Sequence, residues 1–146
     1  MGAPYVRSQK KKISTMLELA RITPGETALD LGSGDGSLVI EAARQGANAT
    51  GIEINPFLVW YSRQRIRRAS VTKNARVVRA DLFKYPFTDA NVVFMYLWPE
   101  TLARLKEKLE HELSPGSRII SNGFPISGWN PILVKDEVYL YEIKSL

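Results

Sequence analysis

Cysteine is absent from this sequence, and histidine occurs once, at His111. A chain without cysteine forms no disulfides and offers neither thiolate ligands for zinc nor a cysteine nucleophile. One histidine cannot build a histidine metal cluster, and its place near the end of a predicted helix, where positive charge is stabilised, favours a structural or solvated role. We therefore expect no metal site.

Long apolar runs are also missing from the chain. None approaches the ~20 residues that a membrane-spanning helix needs, and residues 1–5 lack the apolar core of a signal peptide. We therefore expect a cytoplasmic protein with no transmembrane segment.

The composition fits one globular domain. The chain has 146 residues, of which 45% are hydrophobic and 24% are charged, which suffices for one buried core. We expect a single domain over residues 1–146, with an N-terminal helical segment at about residues 8–22. The net charge of +5 suits an acidic partner such as nucleic acid or a membrane surface, but it is also ordinary for a soluble domain.

Strand and helix patterns alternate along the rest of the chain. The uninterrupted apolar run at 92–97 is typical of a parallel strand that is covered on both faces. The alternation predicts right-handed crossovers and an α/β fold, a Rossmann-like doubly wound and mostly parallel sheet that ends in a C-terminal antiparallel strand pair. We expect helices over 37–45, 56–69 and 99–113, and strands over 27–31, 49–54, 75–79, 91–97, 117–121, 129–135 and 138–144.

The connection over residues 82–90 breaks this alternation. It is short and contains Pro86, which disfavours a crossover helix. We expect one face of the sheet to be thinly covered at this point.

A glycine-rich turn follows the first predicted strand. Asp30 ends the strand, and Gly32, Gly34 and Gly36 follow it in the pattern G-x-G-x-G. Glycines let a ligand approach the backbone closely, and the free N–H groups of the helix that begins near Ser37 favour an anionic ligand group. The dinucleotide pattern G-x-G-x-x-G needs glycine at position 37, but this chain has serine there, so the turn does not match that pattern. The acid before the turn would repel a pyrophosphate, but it suits a ligand with both an ammonium and a carboxylate, such as the methionine end of S-adenosylmethionine (SAM).

Two further acids lie at the ends of later strands. Glu53 belongs to the end of the second predicted strand, and Asp81 follows the third. An acid at the end of the second strand can accept both hydroxyl protons of a ribose. Because the C-terminal ends of parallel strands share one rim of a sheet, the glycine turn and both acids predict a site for a nucleoside-bearing ligand.

These motifs resemble those of the seven-β-strand (class I) SAM-dependent methyltransferases. A closer resemblance covers the chain from Pro4 to about Tyr141. The stretch 53–63, Glu-Ile-Asn-Pro-Phe-Leu-Val-Trp-Tyr-Ser-Arg, and the Phe-Pro…Trp-x-Pro segment at 124–131 are similar to a small family of protein lysine methyltransferases. Its mitochondrial members modify the ATP synthase c-subunit and the adenine nucleotide translocase. The resemblance implies transfer of methyl from SAM to a lysine ε-amino group of a protein substrate, with release of S-adenosyl-L-homocysteine.

The resemblance also implies roles for individual residues. Asp30 is expected to contact the amino group of SAM, Glu53 the ribose and Asp81 the adenine amino group. The full set of expected cofactor contacts is Asp30, Gly32, Ser33, Gly34, Gly36, Glu53, Ile54, Asn55, Asp81 and Leu82.

A lysine acceptor must reach the methyl donor as a neutral amine. A desolvated pocket lowers the lysine pKa, and aromatic walls hold the lysine stem and stabilise methylated ammonium products. The candidates for this wall are Tyr96, Trp98, Trp129 and Tyr5. For each of them, packing in the core is the alternative.

Two other functions stay open at this point. The net charge of +5 and the arginines at 63, 65, 67 and 68 favour an RNA methyltransferase, although such a helix is more often a solvated face. The segment after the fourth strand lacks the Asn/Asp-Pro-Pro-aromatic signature that nucleobase-amino methyltransferases carry there. The absence of an obvious base favours a non-catalytic SAM-binding partner subunit.

Overall fold

The computed structural model describes the backbone of residues 3–145 and the side chains of residues 9–145. Within these residues no helix is both long enough and apolar enough to cross a bilayer. The described chain forms four helices, α1 Ala3–Ala20, α2 Ser37–Arg44, α3 Pro56–Arg68 and α4 Pro99–Glu112. Its seven strands are β1 Thr27–Leu31, β2 Asn48–Glu53, β3 Ala75–Arg79, β4 Val92–Met95, β5 Arg118–Asn122, β6 Leu133–Lys135 and β7 Val138–Glu142.

All seven strands join one sheet in the order β3-β2-β1-β4-β5-β7-β6. The first five strands are parallel, and β7 runs antiparallel between β5 and β6. This confirms the predicted Rossmann-like sheet with a C-terminal antiparallel pair. The chain order reverses between β1 and β4, and ligands of open α/β sheets bind outside the carboxyl ends of the strands at such a switch point.

The core lies in two layers, one on each face of the sheet. Helices α1, α2 and α3 pack on one face, together with Val92 and Phe94 of β4. Helix α4 packs on the other face, where Val93 and Met95 point. Each of these four β4 side chains is at most 1% exposed, which explains why the strand shows no alternation of apolar and polar residues.

The α4 face has only partial helical cover. Residues 82–90 contain no helix, as Pro86 led us to expect. Phe87, which is fully buried, fills part of the space, and its backbone N–H donates to the Glu112 carboxylate over 2.8 Å. The three-to-one distribution of helices therefore leaves this face more open over β3, where Arg76 is exposed and Val78 is half-buried.

Three predicted boundaries need correction. Helix α1 begins at Ala3 rather than near residue 8, because Pro4 falls in the first helical turn, where its missing N–H costs nothing. Strand β4 ends at Met95, opposite Leu31, the last residue of β1. Strand β6 starts only at Leu133, after Pro131, which cannot donate to a strand ladder.

Arg118 fixes the end of α1 to the sheet. Its Nε donates to the carbonyl of Ala20 over 2.7 Å, and its guanidinium pairs with the Glu26 carboxylate at 2.6 Å. The hydrogen bond from Arg118 lowers the pKa of Glu26 below its usual value. The end of α1 is thus held at the amino ends of β1 and β5, and its earlier residues 9–16 extend to the cavity at the carboxyl ends of the strands.

Candidate active site

The glycine turn packs against the carboxyl end of β2. The backbone N–H groups of Gly32 and Ser33 donate to the Ile52 carbonyl over 2.8 and 3.1 Å. The N–H of Gly34 donates to Glu53 Oε1 over 2.8 Å, and the N–H of Asn55 donates to Glu53 Oε2 over 3.0 Å. One buried carboxylate therefore joins the turn to the start of α3.

Two glycines permit this close packing for different reasons. Gly36 has φ +81°, and a Cβ built there would lie 2.8 Å from the Ser62 Cβ of α3. Gly51 of β2 leaves room for the turn above it, since a Cβ at this position would lie 2.5 Å from the Ser33 Oγ. Real Cβ atoms do not approach other atoms so closely, so a side chain at either position would displace the turn.

Asp30 stands at the floor of the site in β1, next to Phe94 of β4 and Gly51 of β2 in register. Its burial, reinforced by the negative charges of Asp35 and Glu53, raises the pKa of Asp30 to about 7. Without a cation beside it, this carboxyl is half protonated near neutral pH. A positively charged ligand group would favour the ionised form.

A cavity of about 720 Å³ opens above this floor. It joins the glycine turn to the ends of β4 and β5 and to one side of α1. Of the predicted site residues, Asp30, Gly32, Ser33, Gly34 and Tyr96 line it. The site that the sequence predicted at the β1 end is thus continuous with the aromatic segment after β4.

The remaining predicted cofactor contacts lie along the same rim but not in the lining of this cavity. Asn55 caps α3, with its Oδ1 accepting from the N–H of Phe57 over 2.9 Å. Ile54 is 62% exposed. Asp81 Oδ1 accepts from the N–H of Phe83 over 2.9 Å, which fixes the turn that contains the half-buried Leu82. The structure thus divides the candidates between the cavity and the rim over β2 and β3.

The four aromatic candidates occupy different environments. Tyr96 and Trp98 are 69% and 70% exposed, and Trp98 packs on Phe124 with ring centroids 5.5 Å apart. Trp129 packs edge-on against Tyr141, 5.7 Å away, in the core cluster on the α4 face. The side chain of Tyr5 lies outside the described residues. Tyr96 is the candidate that the structure brings to the cavity.

The far wall of the cavity consists of residues that no sequence motif indicated. Asn122 and Gly123 at the end of β5 form it, together with Glu137 from the β6–β7 hairpin and Lys12 from α1. Lys12 lies 4.0 Å from the Glu137 carboxylate and donates to the carbonyl of Asp136. The rule that selected Glu53 and Asp81, a polar residue at a strand's carboxyl end, also applies to Asn122.

Two polar atoms in this lining lack partners. The Oγ of Ser33 and the Oδ1 of Asn122 are buried, and no described residue hydrogen-bonds to them. Buried polar atoms are nearly always paired in proteins, so such exceptions call for a ligand or water. Among the side chains of residues 9–145, no group of three or more acidic, histidine or cysteine residues is placed to hold a metal ion.

Comparison with known proteins identifies relatives along nearly the whole chain. The model of the ANTKMT methyltransferase domain family matches residues 30–133. The ATP synthase c-subunit lysine N-methyltransferase of Homo sapiens is 39% identical over 97% of this chain and 62% of its own length. A protein-lysine N-methyltransferase of Saccharolobus islandicus is 39% identical over 96% of this chain and 93% of its own. The chain thus spans under two thirds of the human relative and nearly all of the archaeal one.

The fold has a similarly close counterpart among solved structures. An RNA methyltransferase from Salinibacter ruber, in complex with S-adenosyl-L-homocysteine, superposes with a TM-score of 0.91 at 37% sequence identity. The superposition covers 94% of this chain and 93% of that chain.

Proposed function

The chain belongs to the family of the ANTKMT methyltransferase domain, and on that premise we propose that it transfers a methyl group from SAM to the ε-amino group of a lysine in a protein. The observation that carries the proposal is the single cavity that joins the glycine turn and Asp30 to Tyr96 and the end of β5. A donor site and an acceptor site must share one space for direct transfer. The relatives named protein-lysine N-methyltransferases support lysine as the acceptor.

The residues present fit SAM and its product. Asp30 offers a carboxylate to the amino group, and the turn at Gly32 and Gly34 presents backbone without side chains. Each oxygen of Glu53 accepts one backbone N–H, which leaves a lone pair on each for the two ribose hydroxyls. When bound, SAM supplies a methyl group that is already activated by its sulfonium charge.

The protein's own task is to align a neutral amine with that methyl group. Lysine has an ordinary pKa of ~10.4, so its deprotonation at pH 7 costs roughly 4–5 kcal/mol. Entry into a partly apolar cavity lowers this cost, because burial disfavours the charged form. The exposed ring of Tyr96 can hold the lysine stem and attract the methylated ammonium product. No protein base is required, since water accepts the proton.

One labelling experiment tests the proposal. A lysate from cells without the enzyme is incubated with the purified protein and SAM labelled in its methyl group. We expect label that protease removes and nuclease does not, and mass spectrometry should place it on lysine. Asp30→Ala protein serves as the control for other methyltransferases in the lysate. Label on any residue other than lysine would contradict the proposal.

RNA is the second candidate substrate. It is favoured by the solved Salinibacter ruber neighbour, which is described as an RNA methyltransferase. The arginines of α3 offer limited support, because Arg63 donates to the Val77 carbonyl and Arg65 pairs with Asp35 at 3.3 Å. Arg67 and Arg68 stay exposed. Label that is released by ribonuclease but resists protease would favour RNA. Absence of label from a protein that still binds SAM would favour a non-catalytic role.

A further inference from the structure

We propose that the side-chain amide of Asn122 positions the acceptor amine, by accepting a hydrogen bond from its N–H. This inference rests on the proposed function, since it names the part of the cavity that holds the lysine. It assigns a role to the far wall, opposite the glycine turn.

The fold holds Asn122 firmly in place. It is the last residue of β5 and pairs with Val138 of β7 in the antiparallel ladder. The N–H of the next residue, Gly123, donates to the Glu137 carbonyl over 2.8 Å. The residue is 6% exposed, so its amide has little freedom to turn toward solvent.

Asn122 lines the 720 Å³ cavity together with Asp30 and Tyr96. Its side-chain Oδ1 is buried and has no hydrogen-bond partner among the described residues. The ring of Tyr96 lies over Gly123, where a Cβ would come within 3.2 Å of the Tyr96 Cε1. An unpaired buried oxygen beside an aromatic ring suits an N–H group on an aliphatic stem.

A neutral hydrogen-bond acceptor suits the attacking amine better than a carboxylate does. A carboxylate would favour the ammonium form, which has no lone pair and cannot attack. An amide oxygen takes an N–H from the neutral amine and leaves its lone pair free to point at the donor. The amine nitrogen forms the new bond to the methyl carbon, and the carbon–sulfur bond breaks with its electrons remaining on sulfur. The product is a methylated ammonium, which loses a proton to water before any further transfer.

Kinetics with substituted proteins test this role. The substrate is a synthetic peptide that spans the lysine identified by labelling. Asn122→Ala should lower kcat by about 10- to 100-fold through loss of alignment, with the affinity for S-adenosyl-L-homocysteine unchanged in calorimetry. Asn122→Asp should move the pH profile of kcat to higher pH, because the new carboxylate raises the pKa of the amine in the enzyme–substrate complex. A purely structural role would not move this profile.

A matched control comes from the residue directly before the same strand. Ser117 is also buried, and its Oγ donates to the Ala90 carbonyl over 3.1 Å, away from the cavity. Ser117→Ala should lower the melting temperature and leave kcat and the pH profile unchanged. Wild-type kcat in Asn122→Ala would overturn the inference. Loss of S-adenosyl-L-homocysteine affinity in that variant would also overturn it, since Asn122 would then belong to the donor site.

A binding measurement separates this inference from the proposed function. With the protein saturated with S-adenosyl-L-homocysteine, n-butylamine serves as a probe for the end of a lysine side chain at pH 8. We expect the side-chain amide resonances of Asn122 to shift in NMR spectra as the probe is added. Resonances that do not move would contradict the inference. Absence of lysine methylation together with this shift would overturn the proposed function alone.

Discussion

The two halves of the rim are built differently. On the β1–β2 side, Glu53 accepts two backbone N–H groups and Ile52 accepts two more, so the turn is rigid before any ligand arrives. On the β4–β5 side, Tyr96 and Trp98 are largely exposed and the amide of Asn122 is unpaired. The difference suggests a donor half that is preorganised for one ligand and an acceptor half that is completed by its substrate.

The strongest test of this contrast removes the carboxylate that organises the donor half. Glu53→Ala should weaken SAM binding about 100-fold or more, since hydrogen bonds to a charged group contribute ~1.5–3 kcal/mol each. It should also lower the melting temperature, because the N–H groups of Gly34 and Asn55 lose their acceptor. Calorimetry and thermal unfolding measure both effects. Glu142→Ala, an exposed acid on β7, is the matched control, and normal SAM affinity in Glu53→Ala would remove the basis for the contrast.

The next test uses pH, through Asp30. The pKa of about 7 means that the free protein must release a proton from Asp30 to bind a cationic amino group. SAM affinity should therefore fall up to about tenfold for each pH unit below 7 and level off above it. The Asp30→Asn variant should bind SAM weakly at every pH. Calorimetry between pH 5.5 and 8.5 measures the profile, and an unchanged slope in Asp30→Asn would assign the dependence to another group.

Asp30 should also make the stability of the ligand-free protein depend on pH, in the direction opposite to that of SAM affinity. The folded pKa lies above the unfolded value of 3.8, so between these values the folded state holds a proton that the unfolded state lacks. The ligand-free protein therefore loses stability as pH rises from about 4 to 7. Asp30→Asn should remove this loss and raise the melting temperature at pH 8 above that of the wild type.

A smaller effect is expected in the acceptor half. Tyr96→Ala should lower kcat/KM for the protein substrate by about tenfold, since a ring contact to a cation contributes ~0.5–2 kcal/mol. SAM affinity should stay within about twofold, because the donor half is formed without it. Tyr96→Phe is the control and should retain most activity. Equal losses in the two variants would instead assign the role to the hydroxyl group.

The smallest effect is expected outside both halves. Arg67→Ala with Arg68→Ala should change lysine methylation by less than about twofold, as exposed substitutions usually do. If RNA is the substrate, the same pair should weaken RNA binding and make it less dependent on salt. Methyl transfer and filter binding at several salt concentrations distinguish these results.

The sequence predicts the shape of the glycine turn and the place of Glu53 because these signals are local. The residues from Asp30 to Gly36 specify a turn by themselves, and the rule for strand ends adds Glu53. The acceptor half depends on contacts that are distant in sequence. Asn122 is paired with β7, which returns antiparallel beside β5. Helix α1 reaches the cavity because its apolar residues pack on the sheet and Arg118 holds its end. Trp129 belongs to a motif that is local in sequence, but the packing of its ring on Tyr141 depends on a distant contact that the motif does not indicate.

Because Gly51 has no side chain, residue 51 is coupled to residue 33, which is distant in sequence. Ser33 lies in the space that a methyl group at position 51 of β2 would fill, and Val39 lies 2.9 Å from the same point. The height of the glycine turn above β2 therefore depends on Gly51. In related chains, a larger residue at position 51 should be found only with a glycine at position 33 and a smaller residue at position 39. Laboratory evolution that enlarges residue 51 should likewise require these neighbours to become smaller. A search that varies each position singly would miss such a combination.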